Sequence, residues 1–283
     1  MNVLKTWLLL SVLTVLLVGT GQLIGGPSGA TTAFAFALVM NLGFYWFSDR
    51  IVLAMYRARP LGESEGPQVY RVVREIVSRT GMPMPKLYWI PAANPNAFAT
   101  GRSPKHAAVA VTSGLLELMK EEELKGVLAH ELSHVQNRDT LVMTLAAALA
   151  GAIMQMRTWL LWFGGGRRHR DEDRSAAVVQ LVAFLVMAIL IPFVVTLIQL
   201  AISRTREYGA DATGARLAGS PYGLADALEK LQRAAREHPL PNANPATAHL
   251  FIVNPLSAGA IANLFSTHPP IAERVKRLRS MQL

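Results

Sequence analysis

The chain has no cysteine, and that absence removes two chemistries at once. No disulfide framework holds it, and no thiolate can ligate a metal or act as a nucleophile. It is also short of charge: Asp, Glu, Lys and Arg make up 17% of the 283 residues, against 51% hydrophobic. That balance is too apolar for an ordinary soluble domain and matches a membrane protein. Acidic residues are the scarcer sign, 19 against 28 basic, which leaves a net charge of +9. No basic stretch is interleaved with aromatic residues in the manner of single-strand nucleic-acid binders. Lys and Arg instead flank apolar segments, the pattern of membrane topology. Nucleic acid is therefore set aside as a partner, and the lipid bilayer takes its place. No internal repeat or low-complexity run is present.

What is present is four long apolar stretches, at 7–24, 31–47, 141–163 and 176–202. The last two are each long enough to span about 30 Å of hydrocarbon at about 1.5 Å per residue. Gly25-Gly26-Pro27-Ser28-Gly29 joins the first pair and predicts a helical hairpin. Gly21 and Gly25 form a small-xxx-small spacing, either a packing face or a chance match in a glycine-rich end. Arg157, near the end of the third stretch, can snorkel to the interface. Two hairpins return the chain to its starting side, so the polar segments 50–139 and 203–283 share a side with the N-terminus. Those segments hold twelve and ten of the basic residues, against four between Arg167 and Arg174, which favours the cytoplasmic side. The expected organisation is a membrane hairpin at 1–49, a polar part at 50–139, a second hairpin at 140–202 and a second polar part at 203–283.

Within the first polar part the apolar spacing predicts a helix over 68–80, ended by Gly81-Met82-Pro83. Strands are predicted over 86–90, 96–101 and 107–112, the last two joined by the polar turn at Arg102-Ser103-Pro104-Lys105. A short helix follows at 113–118 and a longer one over 121–139. The fold class expected is mainly α with a small β-sheet (α+β), carried by about four transmembrane helices.

The longer helix carries His130-Glu131-Leu132-Ser133-His134. Two histidines four residues apart project from one face of a helix and can reach one zinc ion, with Glu131 between them as a base. The competing reading is a histidine pair on a solvated face. Ala129 and Leu132 argue against it, because burying two histidines and a glutamate without partners is expensive. Catalytic zinc takes three protein ligands and a water, so a third ligand is needed. Glu207 lies just past the fourth apolar stretch, and the histidines lie just before the third. A hairpin of adjacent membrane helices brings those two ends together. Asp211, one turn beyond Glu207, is placed to accept the Nδ1–H of a ligand histidine. The alternative is that Arg204, Arg206, Glu207 and Asp211 form interfacial ion pairs. His106, His169 and His238 read as solvated, and no spacing pairs His249 with the site. The run 271–283, with Arg274, Lys276, Arg277 and Arg279, reads as a solvated helix face.

Four motifs in order resemble the HtpX-type membrane metalloproteases, which share a catalytic design with the CAAX prenyl endopeptidases. They are Asn96-Ala97-Phe98-Ala99-Thr100-Gly101, Leu128-Ala129-His130-Glu131-Leu132-Ser133-His134, Ser203-Arg204 to Asp211, and Phe265-Ser266-Thr267-His268-Pro269-Pro270. The resemblance implies a gluzincin-like zinc protease domain assembled from the two polar parts. It implies His130, His134 and Glu207 as ligands of one Zn2+ per chain, Glu131 as general base, and the Asn96 strand edge beside the substrate. On this reading His268, or else Tyr208, stabilises the tetrahedral oxyanion, and His268 is otherwise a structural turn residue. Asn96 holds the substrate main chain, or else serves only a turn after Pro95. The activity implied is hydrolysis of misfolded or damaged membrane proteins at the inner membrane, with the active site facing the cytoplasm. The competing functions are a narrow processing protease and a non-catalytic zinc-binding scaffold.

Overall fold

The computed structural model describes residues 2–145, 204–237, 250–253 and 269–283. The fourth expected apolar stretch, most of the third, and His169, His238, His249 and His268 lie outside the described residues.

Helix α1, Asn2–Met55, is two helical limbs joined at a break. Gly25 and Gly26 leave helical geometry there, and Gly26 has a φ of 59°, a conformation that glycine adopts without strain. Pro27 then restarts the helix at a position where its missing N–H costs nothing. The limbs fold back on each other as an antiparallel hairpin. Asn41 Nδ2 donates to Thr14 Oγ1 at 2.8 Å and to the Leu10 carbonyl at 3.2 Å. Gly21 meets Gly29 and Ala33 across the turn so closely that a Cβ on Gly21 would collide with the Gly29 carbonyl. The packing pair is therefore Gly21–Gly29 and not Gly21–Gly25, since among the described residues no neighbour approaches Gly25. Trp7, Phe34, Phe36, Val39 and Trp46 face outward. Among the described residues, the limb Gly25–Met55 is the segment long and apolar enough to cross a membrane.

A four-stranded mixed sheet follows: β1 (Arg59–Pro60), β2 (Lys86–Ile90), β3 (Ala97–Thr100) and β4 (Ala108–Thr112), in the order β1-β2-β4-β3. β2 and β4 run parallel, and β3 closes one edge antiparallel to β4. The two-residue β1 was not anticipated from the sequence, and Pro60 suits an edge strand that has no N–H to give. The expected turn at Arg102–Lys105 contains a short 3-10 helix at Pro104–His106, with His106 exposed against Ser103 Oγ.

Helix α2 (Pro67–Thr80) ends on Gly81, whose φ of 67° is the usual left-handed stop. Helix α3 (Ser113–Leu118) is capped by Thr112 Oγ1, which accepts from the Leu115 N–H. Helix α4 (Glu121–Gln136) opens with three glutamates, which suit the positive end of its dipole. Glu123 reaches back to the Lys120 N–H at 2.8 Å. Helix α4 stops three residues short of the expected Asp139. Arg138 turns left-handed at φ 58° and the Asp139 N–H closes onto the His134 carbonyl at 2.9 Å. Residues 140–145 are helical again, and helices α5 (Arg204–Ala218), α6 (Tyr222–Glu237) and α7 (Ile271–Arg279) follow.

Helix α4 is the central element, packed by α5 and α6. Its apolar face, with Leu124, Leu128 and Leu132, shares one core with Val72, Val73 and Ile76 of α2, Leu224 and Leu228 of α6, and Val275 and Leu278 of α7. The two polar parts of the sequence thus build a single core.

Candidate metal centre

Helix periodicity does the first part of the assembly. His130 and His134 leave α4 on one face, and their Nε2 atoms stand 3.3 Å apart. Glu207, in the first turn of α5, faces both: its carboxylate oxygens lie 3.7 Å from His130 Nε2 and 3.5 Å from His134 Nε2. One ligand atom from each of the three residues falls within 4.8 Å of the others, and all three side chains are buried. Helix α5 comes this close because Gly214 has no side chain where it meets the backbone of His130.

Each imidazole is backed by a carboxylate. Asp211 Oδ1 lies 3.0 Å from His130 Nδ1, a contact aligned less well than a hydrogen bond and electrostatic in character. Asp139 Oδ2 lies 3.3 Å from His134 Nδ1. With a carboxylate at each Nδ1, the proton of a neutral ring belongs there and the Nε2 lone pairs turn toward Glu207. Three electron-pair donors then converge on one point in a buried place. This donor set, two imidazoles and one carboxylate, fits a divalent metal such as zinc.

The electrostatics of the cluster make the same demand for positive charge. Burial works to push the His134 imidazole down, but the Asp139 hydrogen bond and the Glu207 and Glu131 charges outweigh it and hold its pKa at about 9. Burial works to push the Asp211 carboxyl up, but the charge and hydrogen bonds of Arg274 hold it down at about 2. Burial raises the Glu131 carboxyl above its ordinary range, against the pull of both histidines and of the Ala99 N–H.

Glu131 is anchored to the sheet: its Oε2 accepts from the Ala99 N–H of β3 at 2.9 Å. Phe98, Met143, Leu250 and Phe251 wall a pocket whose lining also includes both histidines and Glu131. Asn96 is buried beside it, and its backbone pairs with Thr112. Its side-chain amide grips the chain's own backbone, donating to the Leu250 carbonyl at 3.4 Å and accepting from the Ile252 N–H at 3.2 Å. Tyr208, the alternative oxyanion donor, has its ring under the Arg277 guanidinium at 3.7 Å. His268 lies outside the described residues.

Two residues of the site escaped the sequence reading. Asp139 was taken for the last residue of the histidine helix, whereas the left-handed turn at Arg138 brings it back to His134. The solvated reading of Arg274 is overturned: it is 0% exposed, with Nε and Nη2 on the two oxygens of Asp211 at 2.8 and 2.6 Å. A signal for it existed. Ile271, Val275 and Leu278 mark the buried stripe of α7, and Arg274 falls on that stripe.

A model of the family described as "Peptidase family M48" matches residues 63–282. A protease HtpX homolog of Syntrophobacter fumaroxidans is 56% identical over 280 residues, covering 98% of each chain. One from Pyrococcus furiosus is 52% identical over 282 residues, covering 99% of this chain and 96% of its own. Among solved structures, Ste24p of S. mikatae aligns with a TM-score of 0.52 at 18% identity. That alignment covers 95% of this chain and 61% of the longer Ste24p chain, and the likeness is one of fold.

Proposed function

We propose, from the premise that the chain belongs to peptidase family M48, that it is a zinc-dependent endopeptidase acting at a membrane. The observation that carries this reading is the convergence of His130, His134 and Glu207, with Glu131 tied to the edge strand beside them. His130, His134 and Glu207 would hold the metal, a set of three protein ligands as catalytic zinc sites use. Bound there, zinc supplies Lewis-acid polarisation of a carbonyl and acidifies water. Glu131 takes the proton of the attacking water and hands it to the leaving amine. The Ala99 N–H holds one oxygen of Glu131 in place for both transfers. The substrate lies extended along the β3 edge, where main-chain bonding tolerates many sequences. Asn96 serves it through the 250–252 segment that its amide holds. His268 donates to the oxyanion.

The four parts 1–49, 50–139, 140–202 and 203–283 are membrane hairpin, protease, membrane hairpin and protease. The distribution of Lys and Arg supports a multi-pass inner-membrane protein with its site facing the cytoplasm. A site built beside the bilayer, on a main-chain-reading edge, suits clearance of misfolded or damaged membrane proteins.

The test compares detergent-purified wild type, with zinc and after chelation, with Glu131→Gln on unfolded casein. Cleavage by zinc-loaded wild type alone is expected. The variant should keep its zinc and lose roughly 10²- to 10⁴-fold in rate. Equal cleavage by Glu131→Gln would overturn the mechanism.

A further inference from the structure

Arg274 stands first among the largest fully buried side chains of the described residues, and it is the charged one among them. Its guanidinium forks onto Asp211 with bonds of 2.8 and 2.6 Å, a bidentate geometry that occupies both carboxylate oxygens. Asp211 Oδ1 in turn stands 3.0 Å from His130 Nδ1. The same guanidinium reaches two more partners through Nη1: the Ile252 carbonyl at 3.5 Å and Glu207 Oε2 at 3.8 Å. It therefore touches the carboxylate behind one metal ligand, that ligand's own Nε2 (from Nη2, at 3.5 Å), a second ligand, and the chain segment that walls the cleft.

Stability alone does not account for this arrangement. A buried ion pair replaced by apolar groups of like volume is often no less stable. The neighbours of Arg274 on the α7 stripe, Ile271, Val275 and Leu278, are already apolar. The grip on Asp211 behind His130 comes from a helix 144 residues further along the chain than that histidine.

We infer that Arg274 is a positioning residue of the metal centre: it fixes Asp211 against His130 and, through the Ile252 carbonyl, ties the cleft wall to the same point. With both oxygens of Asp211 engaged, that carboxylate cannot swing in as a ligand, and the His130 ring keeps its Nε2 turned toward Glu207. Helix α7 is then part of the site, although it contributes no ligand. This inference rests on the metallopeptidase reading above.

The test uses full-length protein in detergent, with Arg274→Gln, Arg274→Lys, the double variant Arg274→Gln/Asp211→Asn, and Lys276→Ala as an exposed control on the same helix. The readouts are zinc affinity by competition with a chromophoric chelator, the separate KM and kcat on casein, and unfolding temperature. Arg274→Gln should weaken zinc by about 10- to 100-fold, the usual effect of removing support behind a ligand. The double variant removes both charges while keeping two polar side chains, so it folds even if the single variant does not. Its zinc affinity should fall by a similar factor and not by the product of two, because the two residues act in one chain of contacts. Arg274→Lys, which keeps the charge without the fork, should recover only part. KM should rise in every Arg274 variant, and Lys276→Ala should match wild type. A folded double variant with wild-type zinc affinity and KM overturns this inference alone. Wild type that takes up no stoichiometric zinc overturns the metallopeptidase reading, and this inference with it.

Discussion

Gly214→Ala tests how far the closeness of two helices sets the metal centre. Gly214 lies on α5, two turns past Glu207 and one past Asp211, against α4 at His130. A methyl there would stand 2.9 Å from both N and Cα of His130 and 3.2 Å from the Ala129 carbonyl carbon. Carbon contacts settle at about 3.5–4.0 Å, so the helices must part by about 0.5–1 Å. The atoms in the way are α4 backbone and cannot rotate aside. Overpacking of that kind costs about 1–3 kcal/mol. Glu207 and Asp211 ride on α5, so the same displacement opens the ligand set. Zinc–oxygen bonds of about 2.0–2.2 Å do not stretch to follow it, and zinc affinity should fall at least about tenfold, or 1.4 kcal/mol on the thermodynamic scale. Gly209→Ala on the same helix is the comparison. Gly209 is exposed and nothing among the described residues meets it. That substitution should stabilise by up to about 1 kcal/mol through helix propensity. Thermal unfolding in detergent and zinc titration against a chelator read both effects. If the two alanine variants match in stability and in zinc affinity, close helix approach is not what sets the site.

Two further outcomes follow from the same geometry. Asp211 sits at about 2 against its ordinary 3.8, so its contribution to stability is complete above 3.8 and is lost as pH falls toward 2. Chelator-treated wild type should therefore lose stability across that acid window more steeply than Asp211→Asn, and equal slopes in acid unfolding would refute the pairing. In the N-terminal hairpin, Asn41→Leu removes the bonds to Leu10 and Thr14 and should cost about 0.5–2 kcal/mol, read as a lower unfolding temperature in detergent. An unchanged temperature would show that the glycine contact at Gly21–Gly29 holds the hairpin by itself.

The parts of this molecule that were legible in the sequence are those set by local periodicity. The α2 helix, the β2, β3 and β4 strands and the His130–His134 pair all follow from spacing within one element. Glu207 was reached by a second kind of argument, the return of the chain after an apolar excursion, and the structure places it facing both histidines. Asp139 and Arg274 were reached by neither. Asp139 depends on one left-handed residue, Arg138, whose side chain gives no warning of positive φ. Arg274 was misread because a charged residue at the start of a basic run looks solvated until its partner is known, and that partner lies 63 residues away. The apolar stripe of α7 was the clue, because an arginine on a buried stripe must have its charge answered from another element.

The placement of the three candidate ligands would give a bound metal a structural consequence. His130 and His134 sit on α4, Glu207 on α5, and residues 137–203 separate the two helices in sequence. Those helices nevertheless pack along each other, with Gly214 against His130. A metal held by both helices would therefore link two elements that are far apart in sequence. Any ligand that binds only the assembled pair stabilises that assembly by RT ln(1 + [L]/Kd), about 2.7 kcal/mol at a hundredfold excess over Kd. Arg274 extends the linkage to α7, since its guanidinium spans Asp211, Glu207 and Ile252. Loss of metal should thus loosen α5 and α7 together while leaving the sheet, which contributes no ligand, protected. Hydrogen exchange with and without zinc reads this directly: slowed exchange in 204–218 and 271–279 on zinc binding, with little change in 86–112, is the pattern that three helices gathered around one ion require.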